Sequence, residues 1–162
     1  MQTAPIPDNE KERLESVHEL ALLDTKPEER FDALTKEATE KLHAPISTLT
    51  IVDENREWFK SCQGLDQKEG DRAISFCGHA LLASVLFIIE DTLKDERFKD
   101  NPVVIGPPFI RFYAGIRLLN LRTGLPIGVF CIKDIKPRKL SLEEINTFMD
   151  IGNRAEKEVN KI

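Results

Sequence analysis

The stretch Asp91–Tyr113, DTLKDERFKDNPVVIGPPFIRFY, decides how this chain is read. It joins an apolar segment, residues 85–90, to an aromatic one that starts at Phe112. Between them lie three prolines, two Arg-Phe pairs (Arg97-Phe98 and Arg111-Phe112) and several acids, and Tyr113 is the only tyrosine of the chain. A connection of about twenty residues inside one domain is normally either a disordered linker or a functional loop. Disordered segments are poor in aromatics, so the spacing of prolines and phenylalanines predicts an ordered loop that roofs a small-molecule pocket.

Length and composition set the frame. The 162 residues suit a single domain, with residues 1–8 as a loose lead-in and 9–162 as the domain, and 41% hydrophobic residues suffice for one core. The net charge of −5, with basic residues scattered among acids, predicts no nucleic-acid partner, because phosphate binding needs a clustered basic face. The longest apolar run, residues 80–89, is interrupted by Ser84 and is too short to span a bilayer, so no membrane association is expected. The polar, acidic start after Pro7 predicts no secretory signal. Three widely spaced cysteines, Cys62, Cys77 and Cys131, imply no disulfide framework and a cytoplasmic setting.

Upstream of the crossing, residues 9–22 read as a helix with Leu14, Val17 and Ala21 on one face and an Asn9/Glu12 capping pair. Thr25 and Glu28 offer a capping box for a second helix, with Phe31, Leu34, Ala38 and Leu42 in a stripe. Residues 46–52 and 57–62 read as strands joined by a turn at Asp53–Arg56. Trp58 and Phe59 then face oppositely, one in the core and one partly exposed. A short helix spans Ser75–Leu82 with Phe76 inward, and a strand at Val85–Glu90 is apolar enough to be buried on both faces. Downstream, strands at 112–119 and 126–133 flank a turn at Arg122-Thr123-Gly124, and Gly128 marks a close backbone approach. Ser141 and Glu144 form a capping box that opens the last helix. This order predicts an α+β fold: a central antiparallel sheet of five or six strands, the terminal helices on one face, and the short helix and the crossing forming a pocket on the other.

The same residues carry a family likeness. Leu23-Asp24-Thr25, REWFKS at 56–61, RAISFCGHA at 72–80, the crossing itself, Ala114-Gly115, GVFCIKD at 128–134 and Pro137-Arg138 occur in order. Over roughly residues 10–150 the chain resembles a GAF domain of the bacterial subclass that opens many signalling proteins. The resemblance implies a sensory or regulatory module with a ligand cavity on the sheet face left open by the terminal helices. It also implies an output domain or partner protein. The chain departs from the family pattern at Ile116-Arg117-Leu118 and at Lys133, where relatives usually carry apolar residues.

Candidate ligand contacts are Phe76, Cys77, His79, Asp91, Arg97, Phe98, Asn101, Arg111, Tyr113 and Arg117, for an unknown small molecule and an unknown cofactor. Cys77 opens a helix, whose N-terminus favours a thiolate. Photoreceptor relatives attach a bilin at such a cysteine, with the histidine directly after it, whereas here Gly78 intervenes. The plainer alternative is a buried thiol beside a hydrogen-bonded His79. The charges of the crossing, Asp95 included, either meet a polar ligand or satisfy one another. Phe109 and Phe112 join Phe98 and Tyr113 as cavity or core residues, and Arg117 points either into the cavity or to solvent.

Three other readings are open. Some relatives reduce free methionine-R-sulfoxide by thiol–disulfide exchange, which requires Cys77 and a second cysteine with α-carbons under about 7 Å apart. A metal held by Cys62, Cys77, His79 and Cys131 lacks the usual short ligand spacing. A ligand-free dimerisation module would fill its own pocket. Ile145, Phe148, Gly152, Ala155, Val159 and Ile162 form a heptad-like seam, which serves either a homodimer through the terminal helices or packing on the sheet.

Overall fold

Six strands form one antiparallel sheet in the computed structural model, which describes residues 1–161. The helices are α1 (Glu10–Glu19), α2 (Glu29–Leu42), α3 (Phe76–Ala80), α4 (Pro102–Ile105) and α5 (Leu142–Val159). The strands are β1 (Ile46–Val52), β2 (Arg56–Gln63), β3 (Glu69–Asp71), β4 (Leu86–Ile89), β5 (Phe112–Leu119) and β6 (Pro126–Asp134), in the spatial order β3-β2-β1-β6-β5-β4. Every strand pair is antiparallel, with β6 at the centre between β1 and β5. The expected α+β architecture is therefore the observed one.

The period-two alternation of strands sorts the side chains onto two faces. Leu49 and Ile51 of β1, Phe112, Ala114, Ile116 and Leu118 of β5, and Phe130 and Ile132 of β6 pack with Phe31, Ala38, Phe148 and Ala155 of α2 and α5. The opposite face carries Val52, Tyr113, Val129 and Cys131 and packs against α3 and the crossing. Where α5 crosses β5, a β-carbon on Gly152 would lie 2.4 Å from Ile116 Cδ1, so the helix sits down on the sheet at that residue. The seam of Phe148, Gly152, Ala155 and Val159 is thus buried against the chain's own sheet. Its last expected member, Ile162, lies outside the described residues.

Several local expectations hold. The α2 stripe is buried, Ser141 and Glu144 form a reciprocal capping box, Gly124 adopts φ +75° in the β5–β6 hairpin, and a β-carbon on Gly128 would stand 2.1 Å from Thr50 O. Others are corrected. The α1 helix buries Arg13, Ser16 and Val17, and Ala21 is exposed beyond its end at φ +53°. Arg13 is able to sit there because Val52 O accepts from Nη2 at 2.8 Å and Glu10 Oε1 accepts from Nε at 2.7 Å. Neither Asn9 nor Thr25 caps a helix. Thr25 Oγ1 instead donates to Leu22 O and accepts from Lys60 Nζ at 2.7 Å. Trp58 and Phe59 are both buried, because β2 is covered on both sides. β4 is an edge strand, half-buried along most of its length rather than enclosed, because only β5 pairs with it.

Residues 1–7 are pinned rather than loose. Ala4 N donates to Ala73 O at 2.9 Å, Gln2 N donates to Arg97 O at 3.0 Å, and Ala4 is buried against Gly78. No described helix is long and apolar enough to cross a membrane.

Candidate functional site

The face of the sheet opposite the terminal helices is chemically unlike the helix side. At alternate positions it presents Thr48 and Thr50 from β1, Glu57 from β2, Tyr113 and Arg117 from β5, and Cys131 and Lys133 from β6. All of these except Arg117 are buried. Hydroxyls, thiols and charged groups on a buried sheet face need partners or a ligand.

α3 closes one part of this face. Ser75 caps it by accepting from Gly78 N at 2.9 Å, which drives Phe76 and Cys77 onto the sheet. Phe76 stacks between Phe98 of the crossing at 4.8 Å and Tyr113 of β5 at 5.2 Å, and Phe87 meets Tyr113 edge-on at 6.1 Å. Each such pair contributes about 0.5–1.5 kcal/mol beyond the area it buries. Tyr113 lies across Gly115, where a β-carbon would come within 2.5 Å of the hydroxyl, and its OH donates to Cys77 Sγ at 3.2 Å.

Beneath this aromatic stack runs a thiol–hydroxyl network. Cys131 Sγ is 3.0 Å from Thr48 Oγ1, Cys77 Sγ is 3.7 Å from Thr50 Oγ1, and the two threonine hydroxyls are 2.7 Å apart. The threonine pair links the two thiols, and both are completely buried. Burial pushes the Cys77 thiol up, and the neighbouring Cys131 sulfur adds to that. Burial also raises the Cys131 thiol, but the Cys77 hydrogen bond, the Lys133 ammonium and the Thr48 hydroxyl outweigh it and bring it to about 7. Cys62 stands apart, half-buried and directed at Leu65 O. Among the described residues, no three His, Cys, Asp or Glu side chains converge as metal ligands.

The structure thus brings together Phe76, Cys77, His79, Phe98 and Tyr113. His79 Nε2 donates to Gln2 O at 3.0 Å and its ring meets Phe98 edge-on at 4.7 Å. Burial pushes the His79 imidazole down, keeping it neutral in this contact.

The polar residues of the crossing are engaged with one another. Asp91 accepts from Leu93 N, Arg97 pairs with Asp95 at 2.7 Å while lying over Phe87 and Phe98, and Asp95 also accepts from Arg97 N at 2.9 Å. Asn101 caps α4 and donates to Ile74 O at 2.9 Å. Arg111 donates to Val104 O at 2.8 Å, and Arg117 donates to Ala83 O at 3.4 Å. Phe112 faces the helix side, as its neighbour Tyr113 requires, and Phe109 is 47% exposed at φ +59°.

A partly open cavity of about 100 Å³ lies on this face, bounded by Glu57, Gly70, Asp71, Phe76, Ile110, Lys133 and the Pro107-Pro108 turn of the crossing. Sequence reasoning missed Glu57 and Lys133. The available signal was the alternation of GVFCIKD, which places Val129, Cys131 and Lys133 on one face. A wider, open groove of about 680 Å³ runs past Ile88, Asp91 and Arg138 at the outer edge of β4.

A sequence model of the GAF domain matches residues 26–159. The chain belongs to the GAF domain family. This GAF domain is 40% identical over 138 residues to a cyclic di-GMP phosphodiesterase of Pseudomonas aeruginosa, an alignment covering 85% of this chain and 23% of that protein. The chain therefore spans under a quarter of the length of that relative. It superimposes with a TM-score of 0.67 on the GAF domain from an Acinetobacter phosphoenolpyruvate-protein phosphotransferase, at 14% identity over 94% of this chain and 93% of that one. A TM-score of 0.65 relates it to the type II free methionine-R-sulfoxide reductase from Thermoplasma acidophilum, at 16% identity over 88% and 94% of the two chains. At such identities these two likenesses establish the fold.

Several stretches that carry the family resemblance hold the fold rather than the site. Arg56 grips Asp24 with two hydrogen bonds of 3.0 and 2.9 Å, joining the 23–25 and 56–61 stretches. Arg138 donates to Leu42 O at 2.6 Å and so anchors the end of α2.

Proposed function

We propose that this GAF domain is a cytoplasmic sensory or regulatory module of a signalling protein, binding a small molecule between the sheet and the Asp91–Tyr113 crossing. The observation that carries this reading is the cavity on the polar sheet face, with two buried charged side chains in its wall. Kinship over 23% of the length of a cyclic di-GMP phosphodiesterase supports a role in signalling. A ligand regulates only if it binds one conformation better than another. The crossing is the element suited to that difference, because it carries its own hydrogen bonds and touches the cavity through Ile110 and the two prolines.

A thermal-shift panel of nucleotides, amino acids and organic acids tests this reading on the intact domain. One class should raise the melting temperature, and Gly70→Ala, which adds a methyl at the cavity wall, should abolish the rise. No shift from any class would contradict it. A homodimer through the terminal helices belongs to the same proposal, but the α5 seam is already buried, so the polar outer helix faces would have to make it; light scattering decides this.

A second reading, reduction of free methionine-R-sulfoxide, is favoured by the placing of Cys77 and Cys131 in one thiol–hydroxyl network. Against it stands the complete burial of both sulfurs, which leaves a substrate no path to a thiolate. Turnover of free methionine sulfoxide with dithiothreitol, lost in Cys131→Ser, would establish it; its absence leaves the binding module.

A further inference from the structure

The cavity wall holds two buried charged groups, Glu57 and Lys133, that form no direct ion pair, with a third charge, Asp71, at its exposed rim. Glu57 is 6% exposed, and its Oε2 has no hydrogen-bond partner. Lys133 is also 6% exposed, and among the described residues no salt bridge joins it to Glu57 or to any other acid. Their strands lie on either side of β1, so one group reaches the cavity from each direction. The inner wall is otherwise apolar, from Phe76, Ile110, Pro107 and Pro108, while Gln67 and Asp71 stand at its exposed rim. In such surroundings a charge without a partner is penalised, and a charge that meets one is held strongly.

Resting on the reading that a ligand occupies this cavity, we propose that the ligand is a small zwitterion, an α-amino acid with a short side chain, its ammonium on Glu57 and its carboxylate on Lys133. A simple anion would pair with Lys133 and bring a like charge toward Glu57. A simple cation would do the converse. A molecule with both charges meets both walls at once. Size supports the assignment: about 100 Å³ is far below the roughly 300–1,000 Å³ of pockets for drug-sized ligands, which excludes a nucleotide or tetrapyrrole here. Gly70 supplies the room beside the carboxylate, since a β-carbon there would sit 3.5 Å from Glu57 Cγ, an ordinary contact. Burial pushes the Glu57 carboxyl up, against the pull of Lys133 and Ser75, and Asp71 adds to the rise, so a ligand ammonium would bring further positive charge to this carboxylate.

Isothermal calorimetry on the intact domain tests the proposal with glycine, L-alanine and L-serine, against propionate and ethylamine as single-charge controls. L-alanine or L-serine should bind saturably, with each control at least about tenfold weaker. Glu57→Gln and Lys133→Met should each lose at least that factor. Gly70→Ala should keep the wild-type melting profile and lose binding, and with Glu57→Gln it decides the matter if Lys133→Met does not fold. Propionate binding as tightly as L-alanine, or charge variants that bind unchanged, would overturn the zwitterion while leaving the pocket in place. So would a domain that ignores amino acids but binds another compound of the thermal-shift panel in a Gly70-dependent way. If no compound of either set binds, the pocket reading falls as well.

Discussion

Glu57 is a carboxyl group placed where its charged form is penalised. Its ordinary value, near 4.5, is raised by burial in the fold. Between the ordinary and the raised value the folded chain binds more protons than the unfolded one, so stability from this group is present below pH 4.5 and is lost as pH rises through the folded value. Glu57→Gln should therefore raise the melting temperature at pH 7, by roughly 2–4 °C for each kcal/mol gained, and the gain should vanish near pH 4. Differential scanning calorimetry at the two pH values checks this; an unchanged or lower melting temperature at pH 7 would contradict the burial argument. Tyr113→Phe removes a single neutral hydrogen bond to Cys77, and chemical denaturation should register a loss of about 0.5–1.5 kcal/mol. Sequence reading placed Phe76, Cys77, His79, Phe98 and Tyr113 in one neighbourhood. It missed Glu57 and Lys133 because a charged residue in a strand is ordinarily read as solvent-facing, and only pairing register reveals which face is covered.

At the scale of elements, the chain is tied together by guanidinium groups that bind backbone. Glu10 of α1 pairs with Arg13 and with Arg72, just after β3, and Arg72 also reaches Asp53 O and Glu54 O at 3.2 Å. Burial pushes the Glu10 carboxyl up, but the two guanidinium groups outweigh it and hold it below the usual carboxylate range. That stability is present above about pH 4.5 and is lost as pH falls through the lowered value. Glu10→Ala strands two buried cations and should cost about 3–5 kcal/mol at pH 7, shrinking in acid; urea titrations at pH 7 and pH 3 measure both. Gly128→Ala, with no space between β6 and the Thr50 carbonyl, should cost at least about 1–3 kcal/mol by the same titration. Strands and the last helix were legible because alternation and a capping box are local signals. The α1 face was not, since a buried Arg13 reads as polar until the carbonyl of Val52, 39 residues on, is seen to accept from it.

On the whole-molecule scale, one sheet divides the protein into a packed half and a chemical half. The helix side is mainly aliphatic and aromatic, with a buried Thr35–Ser61 hydroxyl pair between α2 and β2, whereas the opposite side gathers threonines, thiols, the tyrosine, Glu57 and Lys133 under the crossing. The crossing's length made it conspicuous in the sequence, yet its arginines and aspartates serve mainly to hold its own shape. Its contribution to the site is apolar, through Phe98, Ile110 and the proline pair. That distinction was beyond sequence reading, because polar loop residues satisfy backbone and bind ligands with the same groups. The most direct measurement is methyl NMR of the isotopically labelled domain titrated with the small-molecule fraction of a bacterial extract. The account predicts saturable shifts at Ile74, Val103 and Ile110, which line the cavity, with Leu118 and Ile151 on the helix side unmoved; shifts confined to the helix-side methyls, or none at all, would contradict it.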